Sequence, residues 1–125
     1  MKLGKIVDPN YQTVLRKLAS QDIPLKAAFK LKGMIKIGNE ELTKYEEVRA
    51  DALKRFGDKK EDGSLDVDDK GTVKLAEENM QKFVDELNAL LVTDINVGSV
   101  KISELGDKVS LTTQELFMLD DLIVE

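Results

Sequence analysis

Residues 25–56 read LKAAFKLKGMIKIGNEELTKYEEVRADALKRF, thirty-two positions with no proline and with apolar side chains returning every three or four residues. Ala28, Leu31, Ile35, Leu42, Tyr45, Ala52 and Phe56 fall on an approximate heptad stripe, with Val48 beside it. That period predicts one long helix. Gly38-Asn39 interrupts the stripe, and a helical glycine costs about 1 kcal/mol relative to alanine, so any bend in the helix is expected there; two helices is the alternative. Gly57 follows as a favourable residue just past the end of a helix.

The next periodic segment is cleaner. Val73, Ala76, Met80, Phe83, Leu87 and Leu90 step by three and four, with Val84 and Leu91 alongside, which predicts a helix with one broad apolar face. Two such helices joined by a polar loop are expected to pack as an antiparallel pair, each burying its stripe against the other. Outward from this pair, residues 1–7 read as a short strand ended by Asp8-Pro9-Asn10. Tyr11, Val14, Leu15 and Leu18 predict a short amphipathic helix. Asp22 is placed to cap the long helix, with Pro24 in its first turn. Residues 95–102 are rich in β-branched side chains and read as a strand. Gly106-Asp107 is a turn. Thr112 and Glu115 have capping-box spacing ahead of a final short helix through Leu116, Leu119, Leu122 and Ile123. The fold class expected is mostly α with a small β element: a long-helix hairpin, a short terminal helix and one or two short strands, in a single domain spanning 1–125. The reading finds no internal repeat and no low-complexity linker.

The composition narrows the chemistry. Among 125 residues there is no histidine and no cysteine, which removes the imidazole base, the thiolate nucleophile and the usual zinc ligands. No catalytic residue, metal ligand or cofactor is assigned. The adjacent acid pairs Glu40/Glu41, Glu46/Glu47, Glu77/Glu78 and Asp120/Asp121 point about 100° apart on a helix and do not converge. Residues 58–69, DKKEDGSLDVDD, resemble a calcium loop in placing Asp at positions 1, 5 and 9 and Gly at position 6. Lys60 at position 3 and Asp69 at position 12 break that pattern, so an acidic solvated loop is the better reading. Gly33 to Gly38 lacks phosphate-loop spacing. Tyr11, Tyr45, Met34, Met80 and Met118 sit on apolar stripes and read as core.

Charge is distributed unevenly. Residues 1–36 carry eight basic and two acidic side chains, whereas residues 37–125 carry eleven basic and twenty-two acidic. Lys26, Lys30, Lys32 and Lys36 lie opposite the apolar side of the long helix, as a solvated face, as a binding surface for a small anionic partner, or as the basic end of one copy that meets the acidic part of the next in self-association. The overall charge of −5 argues against nucleic acid, a polyanion that an acidic chain repels. At the other end, Phe117, Met118, Leu119, Leu122, Ile123 and Val124 do not fit one narrow helix face, which marks them as internal packing or as an interface, the latter for Phe117, Met118, Leu119, Leu122 and Ile123. No signal peptide and no apolar run of membrane-spanning length are seen.

The chain carries YEEVR (45–49), RFGDK (55–59) with EDG (61–63), FVDEL (83–87), KISEL (101–105) and LTTQEL (111–116). In these spacings it resembles short uncharacterised proteins encoded by tailed bacteriophages. The resemblance implies a viral origin and a small accessory or virion-associated role; it implies no activity and no functional residue. The function expected is a non-enzymatic interaction protein, a self-associating or partner-binding helical module of virion assembly. The alternative is an inhibitor that engages a host defence factor or a small anionic ligand through the basic N-terminal region. The expected partner is a second copy of the chain, forming a homo-oligomer, or another viral or host protein; nucleic acid and membrane are not expected. The location implied is host cytoplasm or virion.

Overall fold

The computed structural model describes residues 1–125. It is mostly helical, with a small two-stranded parallel sheet. The elements are α1 (Leu3–Ile6), α2 (Pro9–Ala19), α3 (Leu25–Phe56), α4 (Glu77–Leu91), β1 (Val100–Lys101), a 3-10 turn (Ile102–Leu105), α5 (Thr113–Met118) and β2 (Ile123–Val124). The chain forms two compact units, Met1–Leu42 with Thr93–Glu125, and Thr43–Val92. No helix is long and apolar enough to cross a membrane.

The first unit holds most of the core. Leu3, Ile6, Tyr11, Leu15 and Leu18 are buried with Leu31, Met34, Val97, Val100, Leu105, Leu119 and Leu122. The long helix runs unbroken across Gly38-Asn39. Its buried face in this unit is set by Ala27, Leu31 and Met34, slightly rotated from the expected stripe. Asp8 caps α2 by accepting from the Asn10 amide at 2.9 Å. Thr112 and Glu115 form the expected capping box on α5.

Four local expectations are corrected. Residues 1–7 are not a strand: Met1–Leu3 pair antiparallel with residues 93–95, through Leu3 N–H to Thr93 O and Ile95 N–H to Met1 O, and the chain then turns into α1. Leu3 and Ile6, three apart, are thereby buried together. Asp22 does not cap α3; its carboxylate pairs with Lys108 at 3.1 Å, and Pro24 precedes the helix, its carbonyl accepting from Ala28. The strand expected over 95–102 reduces to Val100–Lys101, because its only ladder partner is the two-residue β2. The terminal helix stops at Met118, and Leu119–Leu122 turn the chain so that Ile123 and Val124 run parallel to β1.

In the second unit Ala52 of α3 and Phe83 of α4 are buried, while Met80 and Val84 remain largely exposed. The apolar face of α4 is therefore covered over less of its width than its periodicity suggests. Arg49 stacks over the Phe83 ring at 5.9 Å, and Arg55 pairs with Glu86.

Between these helices lies a feature that the sequence reading missed. Residues 58–65, DKKEDGSL, and 66–73, DVDDKGTV, are two copies of one eight-residue hairpin. In each, the third residue donates to the carbonyl of the seventh (Lys60 to Ser64, 2.8 Å; Asp68 to Thr72, 2.9 Å). The sixth, a glycine, donates back to the third (Gly63 to Lys60, 2.9 Å; Gly71 to Asp68, 3.0 Å). Gly63 and Gly71 have φ of +85° and +81°, the left-handed conformation that closes such a three-residue turn with a bulge. The repeats are then linked by a closed ring of backbone bonds, each 2.8 Å: Asp66 N–H to Asp58 O, Lys74 N–H to Asp66 O, and Asp58 N–H to Lys74 O. The repeat escapes a reading by residue identity because only the Asp, Gly, hydroxyl and aliphatic positions are shared.

Candidate functional site

Four of the eight basic residues of 1–36 form ion pairs inside the first unit. Lys5 binds Asp120 at 2.7 Å and Asp121 at 3.1 Å; Lys17 grips both oxygens of Glu115 at 2.8 and 2.9 Å; Lys30 grips both oxygens of Glu104 at 3.0 and 2.8 Å. Lys2 pairs with Asp94 at 3.0 Å. Each pair joins an N-terminal residue to one 74 or more positions away in the sequence. Half of the N-terminal basic charge is thus an internal complementarity between the two chain segments that build this unit.

These contacts act on the acids. The Lys30 ammonium, then the Lys101 amide, hold the Glu104 carboxyl below its ordinary value. The Lys17 ammonium and the Thr112 amide do the same to Glu115, and Lys5 does it to Asp120. Partial desolvation pulls Lys5 down, but its two carboxylate partners outweigh this and its pKa lies above that of an ordinary lysine. A carboxyl with a lowered folded-state pKa adds stability above its unfolded value and loses it as pH falls through the folded one. The urea midpoint should therefore be flat from pH 7 to about 5 and fall below about pH 4. The triple variant Glu104→Gln/Glu115→Gln/Asp120→Asn should flatten that acid limb; an unchanged limb would refute the assignment.

Of the four lysines singled out from the sequence, Lys30 is committed to Glu104, and Lys26 lies near enough to act on the same carboxyl. Lys32 and Lys36 are exposed and make no ion pair or hydrogen bond. The four therefore do not converge on one anion site. What the sequence reading missed is their neighbourhood. At 100° per residue, Leu25, Phe29, Lys32 and Lys36 fall within about 60° on one face of α3. Leu25 and Phe29 are 88% and 81% exposed. Phe29 stands off the apolar stripe, among lysines, and that misplacement was the available signal.

The C-terminal residues divide. Leu119 and Leu122 are 0% and 1% exposed and belong to the core, so neither presents a side chain to a partner. Met118 and Ile123 are half-buried. Phe117 is 67% exposed. It lines an open groove of about 350 Å³ with Ile102, Leu116, Ile123 and Val124, bordered by Thr113, Asp120 and Glu125. Ile102 and Leu116, not singled out from the sequence as interface residues, complete this apolar surface with Val124.

The acidic loop uses its carboxylates locally. Asp58 accepts from the Ala76 amide, Asp62 from Ser64, Asp68 from the Lys70 and Thr72 amides, and Asp66 faces Lys74. No three acidic residues converge to hold a metal ion. Tyr11 is buried with its hydroxyl unpartnered, and desolvation, aided by the charge of Asp121, pushes its pKa up to about 12. It is a neutral core phenol at physiological pH. No family model, no curated protein and no solved structure matches the chain.

Proposed function

We propose that the protein is a non-enzymatic interaction module, phage-encoded, that associates with itself or with another viral or host protein in virion assembly or as a virion accessory. The observation that supports this best is the apolar groove around Phe117. A surface carrying Ile102, Leu116, Phe117 and Val124 together, bordered by polar residues, is what a protein contact leaves when the partner is absent. In the same reading, the C-terminal half of α3 and α4 form an antiparallel hairpin. The bond from Asp58 N–H to Lys74 O supports this by holding the end of one helix beside the start of the other. The role places the chain in the host cytoplasm or the virion.

Light scattering at low and moderate salt tests the reading. The wild type should exceed the mass of one chain, and Phe117→Lys should return it to one chain with an unchanged circular dichroism spectrum. An added lysine in the last turn of α5 suits the helix dipole, so folding is retained. An oligomer that keeps its mass in Phe117→Lys would refute the groove as the contact. The alternative reading, inhibition of a host factor through the basic segment, is favoured by the unpaired Lys32 and Lys36, and predicts a monomeric chain whose partner is lost on their charge reversal.

A further inference from the structure

We infer that the occupant of the Phe117 groove is the Leu25–Lys36 face of a second copy of this chain, so that copies associate head to tail. This rests on the interaction reading above and names its partner. Within the first unit, the exposed large apolar side chains fall into only two groups: Leu25 with Phe29 on α3, and Ile102, Leu116, Phe117 and Val124 around the groove. The two groups differ in shape and in charge. The first is a ridge, two apolar anchors one helical turn apart followed on the same face by Lys32 and Lys36. The second is a concave apolar surface whose lining includes Asp120 and Glu125 and no basic residue, although Lys5 pairs with Asp120 and Lys101 runs beside Val124. An amphipathic helix laid in a groove, with anchors at i and i+4, is a recurrent mode of recognition.

The charges decide the pairing. Two ridges brought together would oppose lysine to lysine, and two grooves would oppose carboxylate to carboxylate. A ridge in a groove sets Lys32 and Lys36 against Glu125 and Asp120. Lys5 takes one oxygen of Asp120 at 2.7 Å, so Glu125 is the fuller partner. The ridge cannot satisfy the groove of its own chain, since Leu25 and Phe29 are exposed in the folded molecule. A contact between two different patches is heterologous and repeats around a ring or along a filament.

The chain has no cysteine, which makes single-cysteine variants clean probes. Gly33→Cys places a thiol beside Phe29 where an added Cβ meets nothing within 4 Å. Thr113→Cys places one on the groove border. Both leave every anchor and charge of the contact in place. With the two chains distinguished by tag size, a short bis-maleimide should link Gly33→Cys to Thr113→Cys in the mixture and give little product with either variant alone. Lys32→Glu/Lys36→Glu should weaken association at low salt by roughly tenfold or more, and Glu125→Lys in the companion chain should restore part of it. Linkage of Thr113→Cys to itself, with a mass above one chain, would overturn the head-to-tail contact while leaving self-association through the groove. A mass of one chain at both salts with no linkage in any mixture would overturn the second copy as occupant.

Discussion

Leu119→Ala should lower the stability of the folded chain by about 2–5 kcal/mol, while Phe117→Lys, two residues away, should change it by no more than about 0.5 kcal/mol. The two side chains are close in sequence and opposite in environment. Leu119 is fully enclosed with Leu122, Val100 and the α1–α2 leucines, and its truncation leaves a cavity that close-packed neighbours cannot fill. Phe117 projects from the same turn into the groove and gives up little packing when replaced. Urea denaturation followed by circular dichroism, at a protein concentration where both variants are monomeric, reads the difference. Equal losses would mean that α5 packs through a different face from the one described.

The second large effect is at Gly57. Gly57→Ala should cost about 1–3 kcal/mol through overpacking. A Cβ there would lie 2.6 Å from the Leu53 carbonyl oxygen, 2.6 Å from Val73 Cγ1 and 2.9 Å from Leu65 Cδ2. The first of these is backbone that already accepts the Gly57 amide at 2.8 Å, so it has little freedom to retreat. The other two are the closing aliphatic residues of the two hairpin repeats. Gly57 stands just past the helix end, as the sequence predicts; its φ is not positive, so crowding rather than a left-handed backbone is the reason for glycine there. Gly33→Ala gives the opposite sign, a gain of up to about 1 kcal/mol, because its surroundings are open and alanine favours helix. Hydrogen exchange at the amides of Asp58, Asp66 and Lys74 should quicken in Gly57→Ala and not in Gly33→Ala.

The helices were the legible part of the sequence. The 3.6-residue period carries through α3 and α4, and the caps at Asp8 and Thr112 are local chemistry that needs no knowledge of the rest of the chain. The short pieces were less legible. A two-residue strand such as β1 exists because β2 lies beside it, and β2 comes from residues that, read alone, continue a helix. The basic excess of residues 1–36 is legible in the sequence, but the pairing of Lys2, Lys5, Lys17 and Lys30 with Asp94, Asp120, Glu115 and Glu104 is not, because those partners are remote in sequence. The groove is half legible: Phe117, Ile123 and Val124 stand out in the sequence as excess apolar side chains, but the separation of Phe117 from Leu119 and Leu122 depends on where α5 ends.

The hydrogen-bonded ring through Asp58, Asp66 and Lys74 also governs how this segment can vary. An ordinary surface loop tolerates insertions, because lengthening it costs only a slowly growing entropy. Here three segments meet in a triangle, and each spends one donor and one acceptor on its neighbours. A third octad has no vacant side to join, and a chain with one octad cannot complete the circuit. The segment's length is thus quantised by its geometry, and variants are expected to keep sixteen residues from Asp58 to Val73 while the hairpin tips at Glu61-Asp62 and Asp69-Lys70 change freely.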